Sequence, residues 1–237
     1  MAIAQFELFG HVAVLTWDSG ENRFNPDFLE ATLACLDEIE HKTEAQVLVV
    51  CSKHEKIWSN GLDLDWLMPI VMAQDAKTSK AFFYRLNDLF KRVLLYPMPT
   101  IAAINGHAFA GGAILACAFD FRFMRSDRGF FCFPEVDLGI PFLPGMMALL
   151  RKAMPSKNLV DMSLTGRRMT SAECVAAGIM VGDAPGDALM EKVMAFAKPL
   201  QKRRNVVLPI KKTLYCEEMR IFDEEDPPII ESGRLQV

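Results

Sequence analysis

Apolar positions along the chain follow two rhythms, a period of two over short stretches and a helical spacing of three or four over longer ones. Residues 6–8 and 11–17 alternate in the first manner around Gly10-His11, which predicts a hairpin of two short strands. Asn25-Pro26 then predicts a helix start, with Asn25 as N-cap and Pro26 at the first helical position, where its missing N–H costs nothing. Leu29, Leu33, Leu36 and Ile39 give that helix a buried stripe. Residues 46–51 are β-branched and apolar, the pattern of a strand inside a parallel sheet. A short helix is expected over 63–68, and 68–78 has no firm pattern, which leaves mobility open. A long amphipathic helix follows over 78–95, carrying Phe82, Phe83, Leu86, Leu89, Phe90 and Val93; Tyr96-Pro-Met-Pro99 ends it. Residues 121–124 and 130–133 read as strands, and a helix runs from Pro144 to about Met154. Thr170-Ser-Ala-Glu173 is a capping box for a helix that stops at Gly178. Residues 188–198 and 206–222 read as helical, and 223–228 as solvated tail.

The stretch Ile101-Ala-Ala-Ile-Asn-Gly-His-Ala-Phe-Ala-Gly-Gly-Ala-Ile-Leu-Ala-Cys-Ala-Phe-Asp120 reads as buried strand, glycine turn and buried helix. Glycines at a helix start let another molecule approach the backbone. The first-turn amides there lack intrahelical partners and sit at the positive end of the helix dipole, so the place suits an anion. By itself a Gly-Gly pair signals no more than a tight turn feeding a core helix.

Two further blocks change that reading: Ile57-Trp-Ser-Asn-Gly-Leu-Asp-Leu-Asp-Trp66 upstream and Phe131-Cys-Phe-Pro-Glu-Val-Asp-Leu-Gly-Ile140 downstream. In this order and spacing the three blocks resemble the crotonase (enoyl-CoA hydratase/isomerase) superfamily, with its Phe-x-x-Gly-x-Asp, Asn-Gly-x-x-x-Gly-Gly and Pro-Glu-Val-x-Leu-Gly patterns. The likeness runs from about Gly10 to about Tyr215. It implies an α/β fold, the crotonase (ClpP-like) spiral of stacked ββα turns, over residues 1–185. A C-terminal helical region used for trimerisation would span 186–222, with a tail over 223–237. Assembly as a homotrimer or dimer of trimers is implied as well.

The same resemblance implies an acyl-CoA thioester as substrate. Backbone N–H groups of Leu62 and Gly111 would form an oxyanion hole for its carbonyl, since abstracting a proton beside a thioester creates an enolate whose charge such donors stabilise. Because the donor is main chain, a leucine side chain at 62 is compatible with the role. CoA would lie across Ser59, Leu62, Asp63 and Leu64, with Lys211 or Lys212 near its phosphates. Glu135 is the expected acid/base: its neighbours Phe131, Phe133, Pro134 and Val136 are apolar, and desolvation raises a carboxyl toward the range of a general base. A buried carboxylate paired with Arg or Lys is the alternative. His107 is read as a neighbour of the turn; Asp63, Asp65 and Asp120 are read as caps or ion-pair partners. Phe142, Leu143 and Met146, like Met68 and Met72, either face an acyl chain or pack without touching it.

One departure selects a subclass. Hydratases of this superfamily carry a second glutamate three residues beyond the oxyanion-hole glycine, and this chain has Ile114 there. Two carboxylates hold and activate a water for addition, whereas one suffices to carry a proton between two carbons. The chain thus resembles the single-glutamate Δ3,Δ2-enoyl-CoA isomerases, including those of plant peroxisomes. No metal or redox cofactor is expected, CoA being part of the substrate. Ala110, where many hydratases have glycine, is a milder departure. The rivals are a hydratase, decarboxylase or thioesterase using the same oxyanion hole, or a crotonase-fold binding protein.

Composition narrows the remainder. A chain of 237 residues with 51% hydrophobic content supports a sizeable core. A net charge of −4 argues against nucleic acid or an anionic membrane as partner. The six cysteines have no metal-ligand spacing and read as reduced. No apolar run approaches the roughly 18 residues of a membrane span. The N-terminus lacks a signal pattern and Leu235-Gln-Val237 is not a peroxisomal address, so the expected location is cytoplasmic.

Overall fold

The structure, a computed structural model, describes residues 2–233. β1 (Ala4–Phe9) and β2 (Val12–Trp17) form the expected antiparallel hairpin, turned at Gly10 with φ +65°, Ala4 opposite Trp17 and Phe9 opposite Val12. β3 (Arg23–Phe24) precedes α1 (Pro26–Lys42), whose N-cap Asn25 accepts the Phe28 amide at 3.0 Å. The chain then runs through β4 (Val47–Ser52), β5 (Ile57–Ser59), β6 (Gly61–Leu62), α2 (Leu64–Met72) and α3 (Ala76–Leu94). Next come β7 (Thr100–Ile104), β8 (His107–Phe109), α4 (Gly111–Ala118), β9 (Phe121–Arg125), β10 (Phe131–Cys132) and α5 (Glu135–Leu138). α6 (Pro144–Ala153), α7 (Ser156–Thr165), α8 (Ser171–Ala176), β11 (Gly182–Ala184) and α9 (Leu189–Ala197) follow. α10 (Arg204–Leu214), α11 (Cys216–Glu224) and α12 (Asp226–Glu231) end the described chain.

The main sheet has the order β1-β2-β4-β7-β9-β11 and is parallel from β2 onward. β5, β8 and β10 form a second, parallel sheet. Each pass of the chain therefore leaves one strand in the main sheet, one in the second, and then a helix: β7–β8–α4 and β9–β10–α5 are two such turns. This is the expected ββα spiral. Side chains alternate across the main sheet, so Ala13 and Leu15 join the large core with α1, α3 and α4, while Val12 and Val14 join Leu189, Val193 and Ala197 of α9 on the other face. The strands read as continuous apolar runs because both faces are covered.

Several elements differ from the sequence reading. The unpatterned span shrinks to a short link, because Asp75 caps α3 by accepting the Thr78 amide at 3.1 Å. The turn at Asn105-Gly106 leads into β8, and α4 starts only at Gly111. α5 and α7 went unpredicted, and the helix expected over 206–222 is broken at Tyr215. Residues 223–228 are not a solvated tail: they lie in α11 and α12, and Asp226 is fully buried. A low apolar content misled there because the acidic side chain has buried partners. Residues 235–237 lie outside the described residues. Among those described, no helix is long and apolar enough to cross a membrane.

Lys211 is a second correction. It is buried, pairs with Asp120 at 2.6 Å and donates to Met98 O at 3.0 Å, so it is not available to phosphate groups. Asp120 is the ion-pair partner expected of it; it also accepts from Thr100 N and Oγ1 at 2.8 and 3.0 Å. Lys211→Ala leaves that carboxylate unpaired and should lower unfolding free energy by about 3–5 kcal/mol, measured by urea denaturation.

Candidate active site

Gly61 has φ +75°, and a Cβ there would lie 2.5 Å from Gly111 N and 3.1 Å from Gly112 N. At Gly112 a Cβ would meet Ser59 O at 2.5 Å. The β5–β6 segment thus lies directly on the first turn of α4 with no side chain between them, which only glycine allows. Asp63 N donates to Phe24 O of β3 at 3.0 Å. Leu62, between Gly61 and Asp63, lines the same cleft as Gly111. Gly111 is the first residue of α4, and its N–H has no acceptor within the helix.

Ala110 precedes Gly111 with φ +50° and ψ −130°, a conformation that L side chains rarely adopt. It is held by Ala110 N donating to Cys132 O at 3.1 Å and by Ile114 N donating to Ala110 O at 3.0 Å. At the far end of α4 the carbonyls are buried too. Lys152 Nζ donates to Cys117 O at 3.1 Å and Phe119 O at 2.8 Å, and Arg122 Nη1 also reaches Phe119 O at 2.8 Å. Arg122, with Lys152 when protonated, places positive charge at the negative pole of this buried helix. Burial holds Lys152 down to about 7.

Glu135 begins α5, a single turn closed by Gly139 in the left-handed region, with Ile140 N donating to Glu135 O at 3.0 Å. Val136 faces outward and is 47% exposed, Leu138 is 51% exposed at the edge of the cleft, and Glu135 turns inward and is 6% exposed. Its Oε2 has no hydrogen-bond partner among the described residues, and burial pushes its pKa up to about 7. No arginine or lysine pairs with it among the hydrogen bonds and ion pairs of the described residues, so the bland alternative of a paired structural carboxylate does not describe it.

These groups meet in a cleft of about 710 Å³, its open mouth included. Leu62, Leu64, Gly111, Ile114 and Glu135 line it together with Phe83, Leu86, Phe142, Leu143 and Met146. Among the described lining residues Glu135 alone ionises. Ser59 is not among them: it is fully buried, its hydroxyl donating to Asn22 O at 2.7 Å and accepting from Gly61 N at 3.2 Å. Asp63 lies in a separate polar recess with Arg23 and Asn25, accepting from Asn25 Nδ2 at 2.9 Å. His107 lies outside the cleft beside Phe109 and Phe130, its pKa lowered by burial and then by Arg168 and Arg128. Met68 and Met72 do not line the cleft, and Met72 is 79% exposed. Asn60, Phe83 and Leu86 line it without having been singled out. Helical periodicity cannot separate a core-facing phenylalanine from a cleft-facing one, so no sequence signal marked the latter two.

The family profile described as enoyl-CoA hydratase/isomerase matches residues 10–220. The chain belongs to this family. It is 32% identical over 216 residues to the enoyl-CoA delta isomerase 3 of Arabidopsis thaliana, covering 86% of this chain and 87% of that one. It is 34% identical over 228 residues to the peroxisomal enoyl-CoA delta isomerase 2 of the same plant, covering 88% and 92%. The crystal structure of an enoyl-CoA hydratase from Bacillus halodurans shares the fold, with TM-score 0.87, 20% identity and coverage of 98% and 95%.

Two outcomes test this geometry. Ala110→Gly relieves a positive φ and should stabilise the fold by about 1 kcal/mol in thermal or urea unfolding. Glu135→Gln should remove a pH-dependent cost. The carboxyl is raised from 4.5 to about 7 on folding, so wild-type stability falls as pH climbs between those values, by about 3 kcal/mol in all. The glutamine variant should match wild type near pH 4 and exceed it at pH 8; equal stabilities at pH 8 would contradict the buried placement.

Proposed function

We propose that the chain is an acyl-CoA enzyme that moves a double bond from C3 to C2 of a 3-enoyl-CoA by a single-carboxylate proton transfer. The observation that carries this reading is one raised, unpaired carboxylate in a cleft whose other described lining residues do not ionise. The similarity to enoyl-CoA delta isomerases supports it independently.

In this mechanism the thioester oxygen accepts from the Leu62 and Gly111 amides. Ionised Glu135 takes a C2 proton, the electron pair moves into the C1–C2 bond, and the dienolate oxygen carries the charge that the two amides stabilise. Glu135, now protonated, delivers the same proton to C4, so the double bond ends between C2 and C3 and no atom is gained or lost. Ile114 stands beside Gly111 in the cleft and offers nothing to hold a water, which disfavours addition across the new double bond. CoA would enter past Leu62 and Leu64, with Asp63 at the neighbouring recess. Assembly as a trimer through the C-terminal helices is part of the same proposal.

Purified protein given 3-hexenoyl-CoA should develop conjugated-thioester absorbance, and Glu135→Gln should lower the rate about a thousandfold. Crotonyl-CoA in water should remain unhydrated; a 3-hydroxyacyl product would assign hydratase chemistry instead. Because the free enzyme must present an ionised base, kcat/KM should rise with pH through about 7 and level off above it.

A further inference from the structure

Asp226 is fully buried between two helices that wall the cleft. Its Oδ1 accepts from the Gly145 amide at 2.8 Å, at the start of α6, and its Oδ2 accepts from Asn87 Nδ2 on α3 at 2.8 Å. The neighbours in sequence of these two partners are cleft residues: Leu86 on α3 and Met146 on α6. Gly145 has no room for a side chain, since a Cβ there would run into the Phe222 ring and sit 2.7 Å from Asp226 Oδ2. Phe222 in turn packs on Phe90 of α3, with ring centroids 6.4 Å apart. α11 and α12 therefore grip the backs of the two helices, and one carboxylate joins them. Lys80 and Tyr84 of α3 hold Glu231 at 2.9 and 3.0 Å, and Lys91 holds Asp223 at 3.1 Å, but these contacts are solvent-exposed and are worth little individually.

We propose that Asp226 is a positioning residue for the acyl end of the cleft, fixing the spacing of α3 and α6 and thereby the preference for acyl-chain length. The proposal rests on the acyl-CoA reading above, and it concerns binding of the chain rather than proton transfer. Removing the carboxylate strands a buried amide on each helix, and the helices must shift to find other partners. A long acyl chain that reaches Leu86 and Met146 loses packing, whereas a short chain that stops near Glu135 loses less.

The test measures dissociation constants of hexanoyl-CoA and dodecanoyl-CoA, saturated ligands that bind without reacting, by calorimetry on the full chain. Asp226→Ala should weaken dodecanoyl-CoA about tenfold more than hexanoyl-CoA. Asn87→Ala, which removes one arm only, should move the ratio in the same direction by less, and supplies the result if Asp226→Ala does not fold. Asp226→Asn should restore the wild-type ratio. Its amide can donate to Asn87 Oδ1, which has no partner now, once the Asn87 amide turns over. A ratio unchanged in both alanine variants, with only the melting temperature lowered, means a purely structural role and overturns the proposal. Wild-type binding of both ligands without isomerisation of 3-hexenoyl-CoA rejects the reaction and leaves the clamp to be judged on the ratios. Failure of the wild type to bind either acyl-CoA rejects both.

Discussion

Backbone lying on backbone, Gly61 against the opening turn of α4, is the constraint on which the rest of the structure depends. The Gly61 Cα sits 3.3 Å from where a Gly111 Cβ would be, so the two segments are as close as packing allows. A side chain at 61 would push β6 away from α4, and one at 112 would push β5 away from it. The ββα spiral serves this contact: β5 and β8 pair in parallel beneath it, and β10 pairs with β8 on the far side. From β10 the chain passes through Pro134 directly into Glu135. Three sheets, the third being the β3–β6 pair, thus deliver three sequence blocks, far apart in the chain, to one apolar cleft.

The electrostatics of that cleft follow from its dryness. Removing water raises the Glu135 carboxyl, because loss of dielectric screening disfavours its charged form. A second carboxylate facing Glu135 would bring water and repulsion; Ile114 brings neither. α4 itself is buried along its whole length, which leaves carbonyls at its C-terminal end that water cannot reach. Lys152 and Arg122 satisfy them from α6 and β9. The charged groups of the interior therefore serve the helix whose other end makes the site.

Polar residues hold the C-terminal helices in place by the same logic. Lys211 ties α10 to Asp120, at the end of α4, and Asp226 ties α12 to α3 and α6. Each is buried and hydrogen-bonded to buried groups, so a segment that looks hydrophilic still packs as interior. The family match takes in α10 and the first part of α11, up to residue 220.

Much was legible in the sequence because its signals are local. Asn25-Pro26 and the Thr170 capping box need only their own neighbours, and both caps form as read. The apolar run before Asn105 and the glycines at 111 and 112 marked strand and helix start for the same reason. What the tertiary structure decided was orientation and partnership. It turned Glu135 inward while Val136 faces out, on a single turn too short to show a period. It buried Ser59 and Lys211, set Asp63 in a recess of its own, and drew Phe83 and Leu86 from the core pattern to the cleft wall. Nor could composition reveal that Asp226 has an amide waiting on each of two helices. Periodicity reports which side of an element avoids water, but not what lies on that side, and a buried charge is stable only if its partners, distant in sequence, are brought to it.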